Sequence, residues 1–191
     1  AEVTMNLAGA YCKRIRGNRA QNIEDAITAY EQSLQVFTRQ VMRVKWAQAM
    51  NTLATAYKGR IRGDLTQNIE DAITAYEHSL QVMTREAMPN DCRRTSRLLA
   101  NLLADESRWS QSEPIYTTAL GTAEDLYNAA LSQSSQQLEL ADTNDLYHRA
   151  AYTYAQVGDY QTAIATLERG RARGLREALE RDRADLAAIE T

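Results

Sequence analysis

The chain has 191 residues, of which 44% are hydrophobic and 25% charged, with only 8 Gly and 2 Pro. That length fits one or two domains, and so little Gly and Pro excludes a loop-rich β-sandwich or a turn-rich α/β fold. The formal charge of −3 argues against a nucleic-acid partner.

Residues 1–20 carry Lys13, Arg14, Arg16 and Arg19 but no apolar stretch, so no signal peptide is expected. The first residue is Ala1, which suggests a piece of a longer protein. No run of 18 apolar residues follows anywhere, so no membrane partner is expected.

An internal repeat dominates the chain. Residues 21–31 and 67–77 both read Q-N-I-E-D-A-I-T-A-Y-E, and residues 1–46 align with 47–92 without a gap at 27 identities. A period of this length points to an array of supersecondary units. Each unit reads as two helices. The first spans roughly 2–14, and 47–60 in the second copy, with Leu53, Ala54, Ala56 and Tyr57 on its inward face. R-I-R-G follows, with Gly17 and Gly63 expected as helix stops. Asn22 and Asn68 are expected to cap the second helix, with Glu24, Asp25, Glu70 and Asp71 in its first turn. Its buried stripe in the second copy is Ile69, Ala72, Ile73, Tyr76, Leu80 and Met83.

Further along, Leu99, Ala100, Leu103, Trp109, Ser112, Tyr116 and Ala119 repeat a large–small pattern, as do Tyr147, Ala151, Tyr154, Gly158, Tyr160, Ala163, Leu167 and Gly170. Residues 121–141 lie between these copies: A-E-D-L-Y-N-A-A-L is expected to lengthen a helix, and S-Q-S-S-Q-Q to be its polar exit. This pattern resembles the tetratricopeptide repeat, a helix–turn–helix unit of 34 residues. The resemblance implies an all-α right-handed solenoid of about eight helices. Its repeats would span 1–46, 47–92, 93–141 and 142–170, followed by an Arg-rich connector over 171–191. The first two units are 12 residues longer than the standard repeat. Six of these are expected in R-I-R-G-D-L-T-Q-N and six in T-R-E-A-M-P-N-D-C.

R-I-R-G-D, N-I-E-D-A-I-T-A-Y-E and L-E-R-G-R-A-R-G-L-R-E-A-L-E-R together resemble the bacterial arrays that precede a caspase-like CHAT domain. That resemblance implies either a free interaction module or an arm that regulates such a domain in the same chain.

No reaction chemistry is expected within this sequence. Cys12, Cys92, His78 and His148 lack the setting of a nucleophile–base pair, and no cofactor or metal is expected from four scattered ligands. So few cysteines fit a reducing compartment, the cytoplasm. From Arg169 to Arg183, six arginines interleave with Glu177, Glu180 and Asp182 between Glu168 and Asp185, which reads as a salt-bridged helix. Leu167, Leu175, Leu179, Leu186 and Ile189 would be its apolar stripe.

The repeat resemblance implies a concave surface lined by first helices. The positions that match are Glu2, Met5, Gly9, Cys12 and Lys13; Gln48, Asn51, Thr55, Lys58 and Gly59; Arg94, Arg97, Asn101, Ala104 and Asp105; Asp145, His148, Tyr152, Ala155 and Gln156. Peptide contacts are expected from Arg94, Arg97, Asn101, His148, Arg149 and Tyr152. Arg97, Asn101 and Arg149 resemble part of a carboxylate clamp, which implies an acidic or C-terminal carboxylate partner.

Overall fold

The computed structural model describes the backbone of residues 2–13, 17–130 and 133–189. It describes side chains there too, except at residues 3, 12, 13, 133–142, 144, 174, 176–178 and 180–189. Among the described residues the structure is all-α, with eight helices and no strand. They are α1 (Glu2–Lys13), α2 (Arg19–Leu34), α3 (Arg43–Lys58), α4 (Leu65–Leu80), α5 (Pro89–Asp105), α6 (Trp109–Ala129), α7 (Gln133–Gln156) and α8 (Tyr160–Ile189). None of the described helices is long and apolar enough to cross a membrane. The chain divides into two compact units, Ala1–Thr95 and Ser96–Thr191, with the division inside α5.

In the first unit α1 packs on α2, α2 on α3, and α3 on α4. Of the expected stripe, Ile69, Ala72, Ile73, Tyr76 and Met83 are buried and Leu80 is half-buried; Leu53, Ala54 and Ala56 of α3 are buried too, Leu53 and Ala56 in one cluster with Ile23, Ala26, Ile27 and Tyr30 of α2. Ala72, Tyr76 and Ser79 have no exposed surface at all. The small residues let the helices close up. Ser79 Oγ donates to the Ala47 carbonyl on α3 at 3.0 Å, and the Tyr76 and Thr55 hydroxyls meet at 3.0 Å.

Helix starts differ from those expected. Asn18 and Asp64 are the caps, each accepting from the backbone N–H three residues on, at Gln21 and Gln67. Asn22 and Asn68 lie inside the helices and are buried. Asn68 clips the preceding loop, donating to the Arg62 carbonyl at 2.9 Å. Consequently Glu24, Asp25, Glu70 and Asp71 fall beyond the first turn, where the helix dipole has little to offer them. Asp25 and Asp71 instead accept from Gln21 and Gln67 one turn back, at 2.8 Å.

Gly63 does not end α3. The helix closes at Gly59, and Gly63 supplies a left-handed φ of 82° in the loop just before the Asp64 cap. Gly17 plays the same part before Asn18, at φ 91°. The six surplus residues of R-I-R-G-D-L-T-Q-N divide between a six-residue connection, 59–64, and an extra turn at the start of α4. The corresponding connections at 106–108 and 157–159 have three residues. Helix α3 begins at Arg43 and α5 at Pro89, each a few residues ahead of the boundaries expected at 47 and 93.

In the second unit α6 packs on α7 and α7 on α8. Ala100, Tyr116, Ala119, Tyr147, Tyr154 and Ala163 share one core. Helix α6 extends through 121–129, as the lengthened second helix requires. The stretch 133–137, expected as a polar exit, is the start of α7 instead, and residue 132 lies outside the described residues. Ser and Gln tolerate a helix well enough that tertiary packing decides. Gly170 sits where a Cβ would lie 2.9 Å from that of Tyr147, so only hydrogen fits there.

The Arg-rich stretch on α8 is spent internally where described. Arg169 pairs with Glu124 at 2.6 Å, Arg171 with Glu168 at 3.1 Å, and Arg173 lies over the rings of Tyr127 and Tyr147. Of the expected stripe, Leu175 and Leu179 are exposed, at 63% and 55%. The side chains of Leu186, Ile189, Glu177, Glu180, Asp182, Arg183 and Asp185 lie outside the described residues.

Candidate functional site

Residues 145, 148, 149, 152 and 153 recur at three and four along α7 and so share one face. Asp145, His148, Arg149, Tyr152 and Thr153 line a cavity of about 400 Å³ together with Ala104 and Asp105 of α5 and Trp109, the first residue of α6. All eight residues belong to the second unit. Trp109 and Tyr152 meet edge to face, with ring centroids 5.6 Å apart, while Tyr152 stays 58% exposed. The walls are therefore aromatic, held in place, and open to solvent.

The polar groups follow an unexpected pattern. Arg149 ion-pairs with Asp105 at 2.5 Å and donates from Nε to the Tyr116 hydroxyl at 3.3 Å. Burial works against its charge, but the hydrogen bonds to Asp105 and Tyr116 outweigh burial and raise its pKa, so the guanidinium stays protonated. Tyr116 in turn donates to Asn101 Oδ1. Burial raises the Tyr116 pKa in spite of Arg149. Asn101 and Arg149 thus belong to one internal chain, Asn101–Tyr116–Arg149–Asp105, that ties α5, α6 and α7 together.

The clamp expected from Arg97, Asn101 and Arg149 as open donors is not assembled in this way. Arg97 is half-buried with interactions of its own and is not among the residues that line the cavity. Two acids at the lining, Asp105 and Asp145, outweigh its single guanidinium. Asp145 is exposed and, among the described residues, has neither an ion pair nor a hydrogen bond. Thr153 has no exposed surface, and its hydroxyl has no hydrogen-bond partner. Sequence reasoning passed over Thr153. Its register, eight residues after Asp145 on the same face, was the available signal.

Arg94 belongs to the first unit and lines a different cavity, of about 500 Å³. There it pairs with Asp91 at 3.1 Å, three residues back on the same helix. Met5, Gly9, Gln48 and Asn51 line that cavity too. Asn51 is buried and donates to Thr95 Oγ1. Thr55 is taken by Tyr76. The side chains of Cys12 and Lys13 lie outside the described residues.

Cys92 is buried, at 2% exposure. His78 lies against Trp46, at 6.0 Å between ring centroids. Among the described residues no cluster of three or more His, Cys, Asp or Glu side chains could hold a metal ion. No protein-family model matches the chain, and no curated protein is significantly similar to it.

Proposed function

We propose that the chain is a protein-interaction module, a right-handed α-solenoid of tetratricopeptide-like helix pairs, and that the cavity of the second unit holds a segment of a partner protein. The observation that carries this reading is the cavity itself. Its floor and walls come from α5, α6 and α7, its aromatic pair is fixed at 5.6 Å, and Tyr152 remains more than half exposed. Aromatic side chains held rigid beside a few polar groups are the usual anchors of peptide recognition. Nothing in this reading calls for chemistry on the partner. Cys92, the cysteine whose side chain is described, is shut away from any substrate.

The test is binding of an arrayed peptide set that varies in charge, followed by calorimetry on the peptides retained. Tyr152→Ala and His148→Ala should each weaken the retained peptides roughly tenfold while costing no more than about 1 kcal/mol of stability, because both side chains are exposed. Retention of no peptide, or full affinity in both variants, removes the reading.

A second reading is that α8 docks the chain onto a caspase-like CHAT domain. It is favoured by Leu175 and Leu179, two exposed leucines one turn apart on that helix. Leu175→Glu combined with Leu179→Glu should then abolish co-purification with such a domain expressed alongside.

A further inference from the structure

The same helix positions recur along this chain, and their burial differs between copies. N-I-E-D-A-I-T-A-Y-E, found in both α2 and α4, aligns with D-Y-Q-T-A-I-A-T-L-E at the start of α8. Ala26 and Ala72 then match Ala163, and Ala29 and Ala75 match Thr166. All six are buried, so the three helices turn the same face inward. A neighbouring face does not match. Ile23 and Ile27 of α2 are buried, but their counterparts on α8, Tyr160 and Ile164, are exposed at 67% and 62%. Leu167 is half-buried where Tyr30 is buried.

Helix α3 is what covers that face of α2. Ile23 and Ile27 share a core with Leu53 and Ala56 of α3, and the Tyr57 hydroxyl donates to Glu31 Oε1 at 2.9 Å. Helix α1 carries the same α3 face 46 residues earlier, as Leu7, Ala10 and Tyr11. Leu53 and Ala56 are buried, whereas Leu7, at 47%, and Ala10 are exposed. Glu31 has its counterpart on α8 as well. It is Glu168, whose described partner is the well-exposed Arg171. The two halves of an α2–α3 contact are therefore both present and uncovered, one on α8 and one on α1. Apolar side chains in helical sequence on one exposed face mark an association surface.

We propose that the α1 face of one copy of this chain docks on the α8 face of a second copy, as α3 docks on α2 within each. Leu7 and Ala10 cover Tyr160 and Ile164, and the Tyr11 hydroxyl donates to Glu168. The contact joins two different faces, so neither face pairs with its own kind. It is independent of the peptide-binding reading, because Tyr160, Ile164 and Glu168 are not among the residues that line the second unit's cavity.

Sedimentation equilibrium of the chain from micromolar to near-millimolar concentration tests this. The average mass should rise with concentration. Leu7→Asp and Ile164→Asp should each weaken association at least tenfold, since either places a charge in the apolar contact. Both side chains are exposed, so helicity by circular dichroism should stay the same. Mixing the two variants should restore association, because the first keeps an intact α8 face and the second an intact α1 face. A contact between two like faces would not give that result. Ile61→Asp, at an exposed isoleucine on neither helix, should change nothing. A chain that stays monomeric throughout overturns the proposal. So does association that persists in Leu7→Asp or in Ile164→Asp, and so does a mixture of the two that fails to associate.

Discussion

Arg60 and Glu24 show how much rests on one side chain of the repeated R-I-R-G segment. Nε and Nη2 of Arg60 reach the two carboxylate oxygens of Glu24 at 2.9 and 2.8 Å, from the end of α3 to α2, and both side chains are mostly buried. The hydrogen bond to Arg60 holds the Glu24 carboxyl below the usual carboxylate range, against the opposing effect of burial. A carboxyl depressed on folding stabilises above its unfolded pKa, near 4.3, and that gain is lost as pH falls through the lower folded value. Glu24→Gln should therefore cost about 1–2 kcal/mol at pH 7, with the gap to wild type closing toward pH 3, measured by urea unfolding at both pH values. Ser107 offers the opposite sign. It takes a φ of 58° in the turn after α5, where Gly158 stands in the turn after α7, and both turns close with the same pair of backbone bonds. Ser107→Gly should raise stability by roughly 0.5–1 kcal/mol in thermal unfolding, since relief of the left-handed strain exceeds the added freedom of the unfolded chain.

Among the helices, the buried faces were legible and the ends were not. Ala72, Tyr76, Tyr116, Ala119, Tyr154 and Ala163 are core because hydrophobic periodicity records which side of a helix is packed. The starts of α2 and α4 escaped because each has two residues able to cap, Asn18 or Asn22 and Asp64 or Asn68. The choice depends on a left-handed glycine one position earlier, which local patterning does not reveal. The site divided in the same way. The repeat resemblance singled out Asp145, His148 and Tyr152 as groove positions and Arg149 as part of a clamp, and the structure puts all four around one cavity. The resemblance could not show that Arg149 would reach back to Asp105, 44 residues earlier. The close contacts can be probed directly. Ala72→Leu should destabilise by roughly 1–3 kcal/mol through overpacking, against less than about 0.5 kcal/mol for the exposed control Gln81→Ala. Gly170→Ala should also destabilise. The clash falls on the Cβ and ring root of Tyr147, which cannot swing aside, and it exceeds the helix-propensity gain of about 1 kcal/mol. A raised melting temperature in that variant would mean α7 and α8 stand further apart.

For the whole molecule, the sequence period carried more than any single motif, because repetition encodes a folding unit twice over. The same repetition exposes a hazard in assembly. Helices α2 and α4 share the eleven residues 21–31 and 67–77, and the faces they bury match residue for residue: Ile23, Ala26, Ile27 and Tyr30 against Ile69, Ala72, Ile73 and Tyr76. Both helices pack on α3. During refolding each is a decoy for the other's berth, so a fraction of chains should dock the wrong copy and must detach before reaching the native arrangement. Stopped-flow refolding should show a slow minor phase that prolyl isomerase does not accelerate. Its amplitude should shrink when Ile23→Val and Ile27→Val make the copies distinguishable. Single-exponential refolding of the parent chain would mean that the flanking turns alone, with Asn18 in one and Asp64 in the other, give each copy its address.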